Sequence, residues 1–182
     1  PDVLRFLKAI GITSLDRNAA HYGLGLTLGN AEVTLADLVG AYAVLARGGT
    51  WIRPRAVRDG SIPAQRRVMS PRAAFWVTDV LSDSEARAYV FGRGGSLEFP
   101  FAVAVKTGTS QAYHDNWAVG YTRDVAVGVW VGNFDRRPLI GSSGVTGAGP
   151  IFHDVMLAAQ FHERGGEGAG ASSRSARAPI TT

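Results

Sequence analysis

The chain has no cysteine among its 182 residues. That excludes disulfide staples, thiolate zinc sites and cysteine nucleophiles. The absence fits any compartment and suits an oxidising one, where stray thiols are a liability. No apolar run reaches the roughly 18 residues that a membrane-crossing helix requires. Lysine is nearly missing: of 19 Lys+Arg residues, only Lys8 and Lys106 are lysine. An initiator methionine is also absent. A chain opening on Pro1 is expected to be a fragment or a processed product, so the lack of a signal peptide says nothing about targeting.

What is present suffices for one domain, or one and a fraction. Hydrophobic residues make up 46% of the chain, enough for an ordinary core. The net charge is +4 and the isoelectric point is near 9.9. Such a balance fits an arginine-rich solvated surface, or attraction to an anionic polymer or membrane surface. The arginines gather at Arg53, Arg55, Arg58, Arg66, Arg67 and Arg72. No aromatic residues interleave with them as a base-stacking platform would need, so no nucleic-acid partner is expected.

Apolar Val3, Leu4, Phe6, Leu7 and Ile10 fall at helical spacing, and Gly11 ends that helix. The glycine-punctuated 21–30 reads as a loop. Thr34 caps a second helix, with Asp37 three residues on in the manner of a capping box. Its apolar stripe is Leu35, Leu38, Val39, Tyr42 and Leu45, and Gly48 and Gly49 close it. Residues 50–69 read as an exposed connection with short extended pieces. Ser70 and Pro71 open a third helix as N-cap and first helical residue. The stretch 84–98 is mixed and glycine-rich. Strand signals then cover Phe99 to Lys106, Asn116 to Tyr121 and Val125 to Phe134, the last two joined as a hairpin by Thr122 to Asp124. A final helix over 149–163 presents Ile151, Phe152, Val155, Met156 and Ala159. Residues 165–182 are rich in Gly, Ala, Ser and Arg, and read as a flexible tail or linker.

Lys106 carries the chemistry. It stands at the expected mouth of a strand, followed by Thr107, Gly108, Thr109 and Ser110. Thr107 and Thr109 alternate onto one face, and Gly108 puts no side chain on the other. A cation, hydroxyls and accessible backbone make a receptor for a carboxylate or carbonyl oxygen. A phosphate loop is excluded, because Val105 precedes the lysine and no glycine lies in 96–107.

Lys-Thr-Gly on a strand, followed by a hairpin and a C-terminal helix, resembles the element shared by penicillin-binding proteins and serine β-lactamases. The resemblance extends further. "GLGLTLGNAEVTLADLVGAYAVLARGGT", "VKTGTSQAYHDNWAVGYTRDVAVGVWVGN" and "TGAGPIFHDVM" are each similar to segments of class A penicillin-binding proteins, over roughly residues 1–160. The resemblance implies an α+β fold of the serine β-lactamase/D,D-transpeptidase type, an antiparallel sheet flanked by helices. Residues 1–164 would be the C-terminal part of that domain, and the tail would lead onward.

The implied activity is cross-linking of peptidoglycan by serine acyl transfer. Stem peptides and β-lactams would be the ligands, with no cofactor and no metal. Lys106 would offer charge and protons. Thr107 and Thr109 hydroxyls would hold the terminal carboxylate, and the Thr109 backbone N–H would supply half of an oxyanion hole. Gly108 would keep the strand face open. The class A likeness further implies a glycosyltransferase domain and an N-terminal anchor outside this chain, at the periplasmic face of a bacterial inner membrane.

The family's other two motifs are missing. Val103 and Arg5 stand three residues before the two lysines, so there is no Ser-x-x-Lys. There is no Ser-x-Asn either; Ser14 is four positions from Asn18. The nucleophile is therefore not in this chain, and the domain is expected to be partial, needing its N-terminal half. A non-catalytic pseudo-transpeptidase or interaction module and a serine β-lactamase-like hydrolase stay open as alternatives. Among other candidates, adjacent His114 and Asp115 read as a turn in which Asp115 bonds backbone N–H groups. His153 and His162 lie too far round their helix to share a metal. The tryptophans, Trp76, Trp117 and Trp130 among them, read as core.

Overall fold

The computed structural model describes residues 2–57 and 60–172. Local capping chemistry sets most of its helices. After α1 (Asp2–Ala9), Asn18 caps α2 (Ala19–Tyr22) by accepting from the His21 N–H at 3.0 Å. A 3-10 turn, Gly23–Leu28, follows where a loop was expected. Thr34 caps α3 (Leu35–Ala46) through the Asp37 N–H at 3.1 Å. The Asp37 carboxylate does not reach back to complete a box. It accepts instead from the N–H and hydroxyl of Thr13, at 2.7 and 2.8 Å, and so ties the segment after α1 to the start of α3.

Gly49 ends α3 at φ 94°, and a Cβ there would lie 2.3 Å from the Met69 carbonyl oxygen. Conformation and close approach both require glycine at this position. The exposed connection contains β1 (Thr50–Ile52) and β2 (Gln65–Arg67), paired antiparallel. Two of its arginines are tied to neighbouring segments. Arg66 lies 4.1 Å over the Trp51 ring and donates to the Ala9 carbonyl at 2.8 Å, and Arg67 donates to Gly48 at 2.9 Å.

Ser70 and Pro71 start α4 (Pro71–Ser82) as expected. The next helix, α5 (Ser84–Phe91), replaces the mixed stretch read from the sequence. Asp83 caps it through the Ala86 N–H at 2.9 Å, and Gly92 ends it at φ 82°.

The sheet is β3 (Ala104–Thr109), β4 (Asp115–Tyr121) and β5 (Ala126–Gly132), antiparallel in that order. β3 starts later than expected and runs further. Pro100 has no N–H to give a ladder, and the pairing extends from Ala104–Tyr121 to Thr109–Asn116. Lys106 is thus in mid-strand, not at a strand mouth.

Two glycines on neighbouring strands open opposite faces. A Cβ on Gly120 would lie 2.8 Å from Phe152 of the last helix, α6 (Gly149–Ser172). A Cβ on Gly128 would lie 2.3 Å from Val39 of α3. The first face buries Val103, Val105, Ala118, Val127 and Val129 against Phe152 and Met156. On the second, the Tyr121 hydroxyl meets Thr78 of α4 at 2.8 Å, and Tyr42 of α3 meets the Tyr121 ring edge-on.

The notch at Gly120 sets the phase of α6. Phe152 and Met156 are fully buried, Gln160 continues that side, and Ile151 and Val155 are about half exposed, contrary to the expected stripe. The α6 backbone also passes the boundary expected at 164 and reaches Ser172. Each added residue costs no new nucleation, and no proline intervenes before Pro179. The rest of the expected tail, 173–182, lies outside the described residues. Among the described residues no helix is long and apolar enough to cross a membrane.

Candidate active site

β3 is the last strand on its side of the sheet, so one edge is open among the described residues. The Ser110 N–H donates to the Asp115 carbonyl at 2.9 Å. Backbone groups on an antiparallel strand alternate between partner and outside. The N–H groups of Thr109, Thr107 and Val105 therefore face the open edge, whereas those of Gly108 and Lys106 face β4.

Lys106 is exposed on the side of the sheet that packs α3 and α4. Its stem bends round the edge, and Nζ donates to the outward-facing Thr107 carbonyl at 2.5 Å. Thr107 is half-exposed and Thr109 exposed on the opposite side. The Thr109 hydroxyl accepts from the Gly144 N–H at 2.9 Å, which leaves its own proton to give. A Cβ on Gly108 would meet only Trp117 Cβ, at an ordinary 3.6 Å. Nothing among the described residues uses the space that Gly108 leaves. The four positions singled out in the sequence thus gather on one open strand edge, with cation, outward N–H groups and hydroxyls within four residues.

Sequence reasoning missed the residues behind them. Asn116 pairs across from Thr109 and is fully buried. Its Nδ2 donates to Ser142 Oγ at 2.5 Å, and its Oδ1 has no partner. A π-helical turn, Gly144–Ala148, lies over the β3–β4 junction. The one signal was local: Ser143 and Thr146 sit three apart and cap each other reciprocally.

The His114–Asp115 pair does not form a dyad. Asp115 accepts from the Trp130 indole at 2.9 Å, in place of the backbone N–H groups expected, and the His114 Nδ1 is buried without a partner. The indole wins because Trp130 lies one strand across, where a turn-bound carboxylate would have only local amides. Ser110 Oγ accepts from the Asp115 N–H at 2.8 Å, turned into the β3–β4 connection. His153 stacks on Phe99, with its Nδ1 3.1 Å from the Ser96 carbonyl oxygen. Among the described residues no three His, Asp or Glu side chains come together as a metal site would require. Trp117 and Trp130 pair across strands but are only half-buried, and Trp76 is 55% exposed under Arg72, so none of the three is the buried core residue expected. A cleft of about 480 Å³ between α5 and the 92–102 loop is lined by none of residues 106–109.

Residues 8–157 match the model of the penicillin-binding protein transpeptidase domain. The chain belongs to that family. It is 32% identical over 149 residues to penicillin-binding protein 1C of Escherichia coli K12, covering 82% of this chain and 19% of that protein. It is 28% identical over 193 residues to penicillin-binding protein 1A of Neisseria cinerea, covering 92% and 23%. The chain thus spans about a fifth of the length of these relatives.

The fold matches that of penicillin-binding protein A from M. tuberculosis, solved as an imipenem acyl-enzyme complex. The TM-score is 0.65 at 23% identity, over 88% of this chain and 43% of that one. Penicillin-binding protein 1A from Haemophilus influenzae gives 0.65 at 20% identity, over 85% and 30%. The α+β transpeptidase-type fold expected from the resemblance is the fold this transpeptidase-family chain has.

Proposed function

We propose that this chain supplies the substrate-binding strand of a peptidoglycan D,D-transpeptidase. The observation that carries the reading is the open edge of β3, where the outward Thr109 N–H lies beside the Thr107 and Thr109 hydroxyls and the Lys106 ammonium. A peptide ending in D-Ala-D-Ala would add to this edge as an extra strand. Its terminal carboxylate would accept from the threonine hydroxyls, and Lys106 would supply positive charge and proton transfer.

A serine oxygen from outside this chain would bond to the penultimate carbonyl carbon. The oxygen of that carbonyl would become an oxyanion, with the Thr109 N–H as one of its donors. Loss of such a donor costs about 2.7–4 kcal/mol in a comparable acyl-transfer site. The C–N bond then breaks and D-alanine leaves with the serine's proton. The amine of a second stem peptide attacks the ester, forms the new amide, and returns a proton to the serine. A β-lactam would acylate the same serine and stop there.

Ser-x-x-Lys must then come from a preceding part of the domain. α4 offers a surface for it: Phe75 is 64% and Val80 73% exposed, with Trp76 beside them. In this reading the whole protein also carries a glycosyltransferase domain and an anchor, and works at the periplasmic face of a bacterial inner membrane. Residues 165–182 lead out of the domain. The missing nucleophile motif also favours a second reading, a non-catalytic binding module.

One experiment separates the two. Residues 1–182 and a version extended upstream through Ser-x-x-Lys are treated with labelled penicillin and run on a gel. Label on the longer chain alone supports the transpeptidase. Stoichiometric label on 1–182 would place the nucleophile within this chain. No label on either supports the binding module.

A further inference from the structure

The face of β3 that carries the Thr109 hydroxyl holds a polar relay. Thr109 has one hydroxyl proton and two lone pairs. The Gly144 N–H fills one lone pair at 2.9 Å. This narrows the rotor and leaves the proton for a group outside the chain. Gly144 reaches that position because its turn lies directly on strand backbone: a Cβ there would be 2.5 Å from the Gly108 carbonyl oxygen and 2.8 Å from that of Trp117.

Asn116 fastens the turn to the sheet. It is the cross-strand partner of Thr109, it is fully buried, and its Nδ2 donates to Ser142 Oγ at 2.5 Å. The turn closes round it so tightly that a Cβ on Gly147 would lie 2.6 Å from Nδ2. The Asn116 Oδ1 has no partner. An unpaired buried acceptor is costly, and an apolar residue of similar size would avoid that cost. What the amide gains in return is the bond from its Nδ2 to Ser142.

We propose that Asn116 is a positioning residue for carboxylate recognition. Acting through Ser142 and the turn, it sets the Gly144 N–H against Thr109, so that the Thr109 hydroxyl proton points at the ligand's carboxylate. This rests on the reading that Thr109 binds that carboxylate.

The test uses the full-length protein that contains this chain, with benzylpenicillin and its methyl ester as probes. Asn116→Leu is expected to slow acylation by the free acid about tenfold, the scale of one misaligned charge-assisted hydrogen bond. The rate with the ester, which lacks the anionic carboxylate, should change less than about twofold. Ser142→Ala cuts the same link at a half-buried side chain and should give the same selective loss if Asn116→Leu fails to fold. Thr109→Val combined with Ser142→Ala should be no slower than Thr109→Val alone, because both act at one hydroxyl. Equal slowing with acid and ester, or losses that multiply in the double variant, would overturn the positioning role alone. A parent protein that neither probe acylates would overturn the transpeptidase reading and this inference with it.

Discussion

Gly108 and Gly144 touch through their backbones, yet the same substitution should separate them. A Cβ on Gly144 would stand 2.5 Å from the Gly108 oxygen, 2.8 Å from the Trp117 oxygen and 3.0 Å from the Gly108 nitrogen. All three are backbone atoms of a paired ladder and cannot swing aside. The turn must lift, and the bond from the Gly144 N–H to Thr109 goes with it. Overpacking costs about 1–3 kcal/mol, and a lost hydrogen bond adds about 1 kcal/mol. Gly144→Ala should therefore lose about 2–4 kcal/mol. The melting transition of the domain that contains this turn should fall by several degrees. A Cβ on Gly108 meets only Trp117 Cβ at 3.6 Å, so Gly108→Ala should stay within about 0.5 kcal/mol of the parent. It nonetheless puts a methyl group into the space proposed for the peptide. Thermal melts and penicillin acylation rates, measured on both variants of the full-length protein, check the pair. Gly108→Ala melting as far below the parent as Gly144→Ala, or Gly144→Ala melting with the parent, would refute the reasoning.

Lys106→Ala should slow β-lactam acylation in the full-length protein. Lys106→Arg should not restore it, because a planar, permanently protonated fork neither transfers protons nor fits the same space; equal rates for arginine and parent would reject a specific role for the ammonium. Phe152→Ala empties the Gly120 notch and should cost about 3–5 kcal/mol, read from denaturant midpoints. Burial raises the Tyr42 phenol above its ordinary 10.0. The folded state therefore favours the neutral form, a contribution fully present below pH 10 and lost as pH rises through the raised value. Tyr42→Phe should flatten the fall in melting temperature above pH 10, and an unchanged slope would count against that assignment.

Features set by local chemistry were legible in the sequence. Ser70–Pro71 and Thr34 announced their helices because a cap needs only residues three apart. The β4–β5 hairpin followed from a tight turn between two apolar runs. Lys106 to Thr109 stood out through the lysine's rarity and the family likeness. α5 was hidden because Gly92, Gly94 and Gly95 mark the stretch as irregular, although Gly92 is itself the helix stop and Asp83 the cap. The phase of α6 depends on a hole in β4, and no periodicity within α6 encodes that. Asn116 escaped notice for the same reason. Its partner Ser142 lies 26 residues away, and only strand register brings the Gly144 turn beside Thr109. The exposure of Trp76 likewise depends on what packs against α4, which no single helix pattern contains.

The bond from the Lys106 ammonium to the Thr107 carbonyl bears on self-association. An unpaired strand edge is a template for any other strand, including the same edge of another copy. Two copies meeting antiparallel at β3 would each bring a cation to the seam, and like charges directly opposite disfavour the pairing. In the proposed reading an anionic peptide would meet the opposite balance, because its carboxylate would draw the ammonium off the carbonyl and free that acceptor for the incoming backbone. If β3 is the peptide-binding edge proposed above, one lysine would bias it by charge, toward an acidic guest and away from its own kind. Replacing it with a neutral residue would leave a bare, sticky strand, and the first symptom would be clumping in solution.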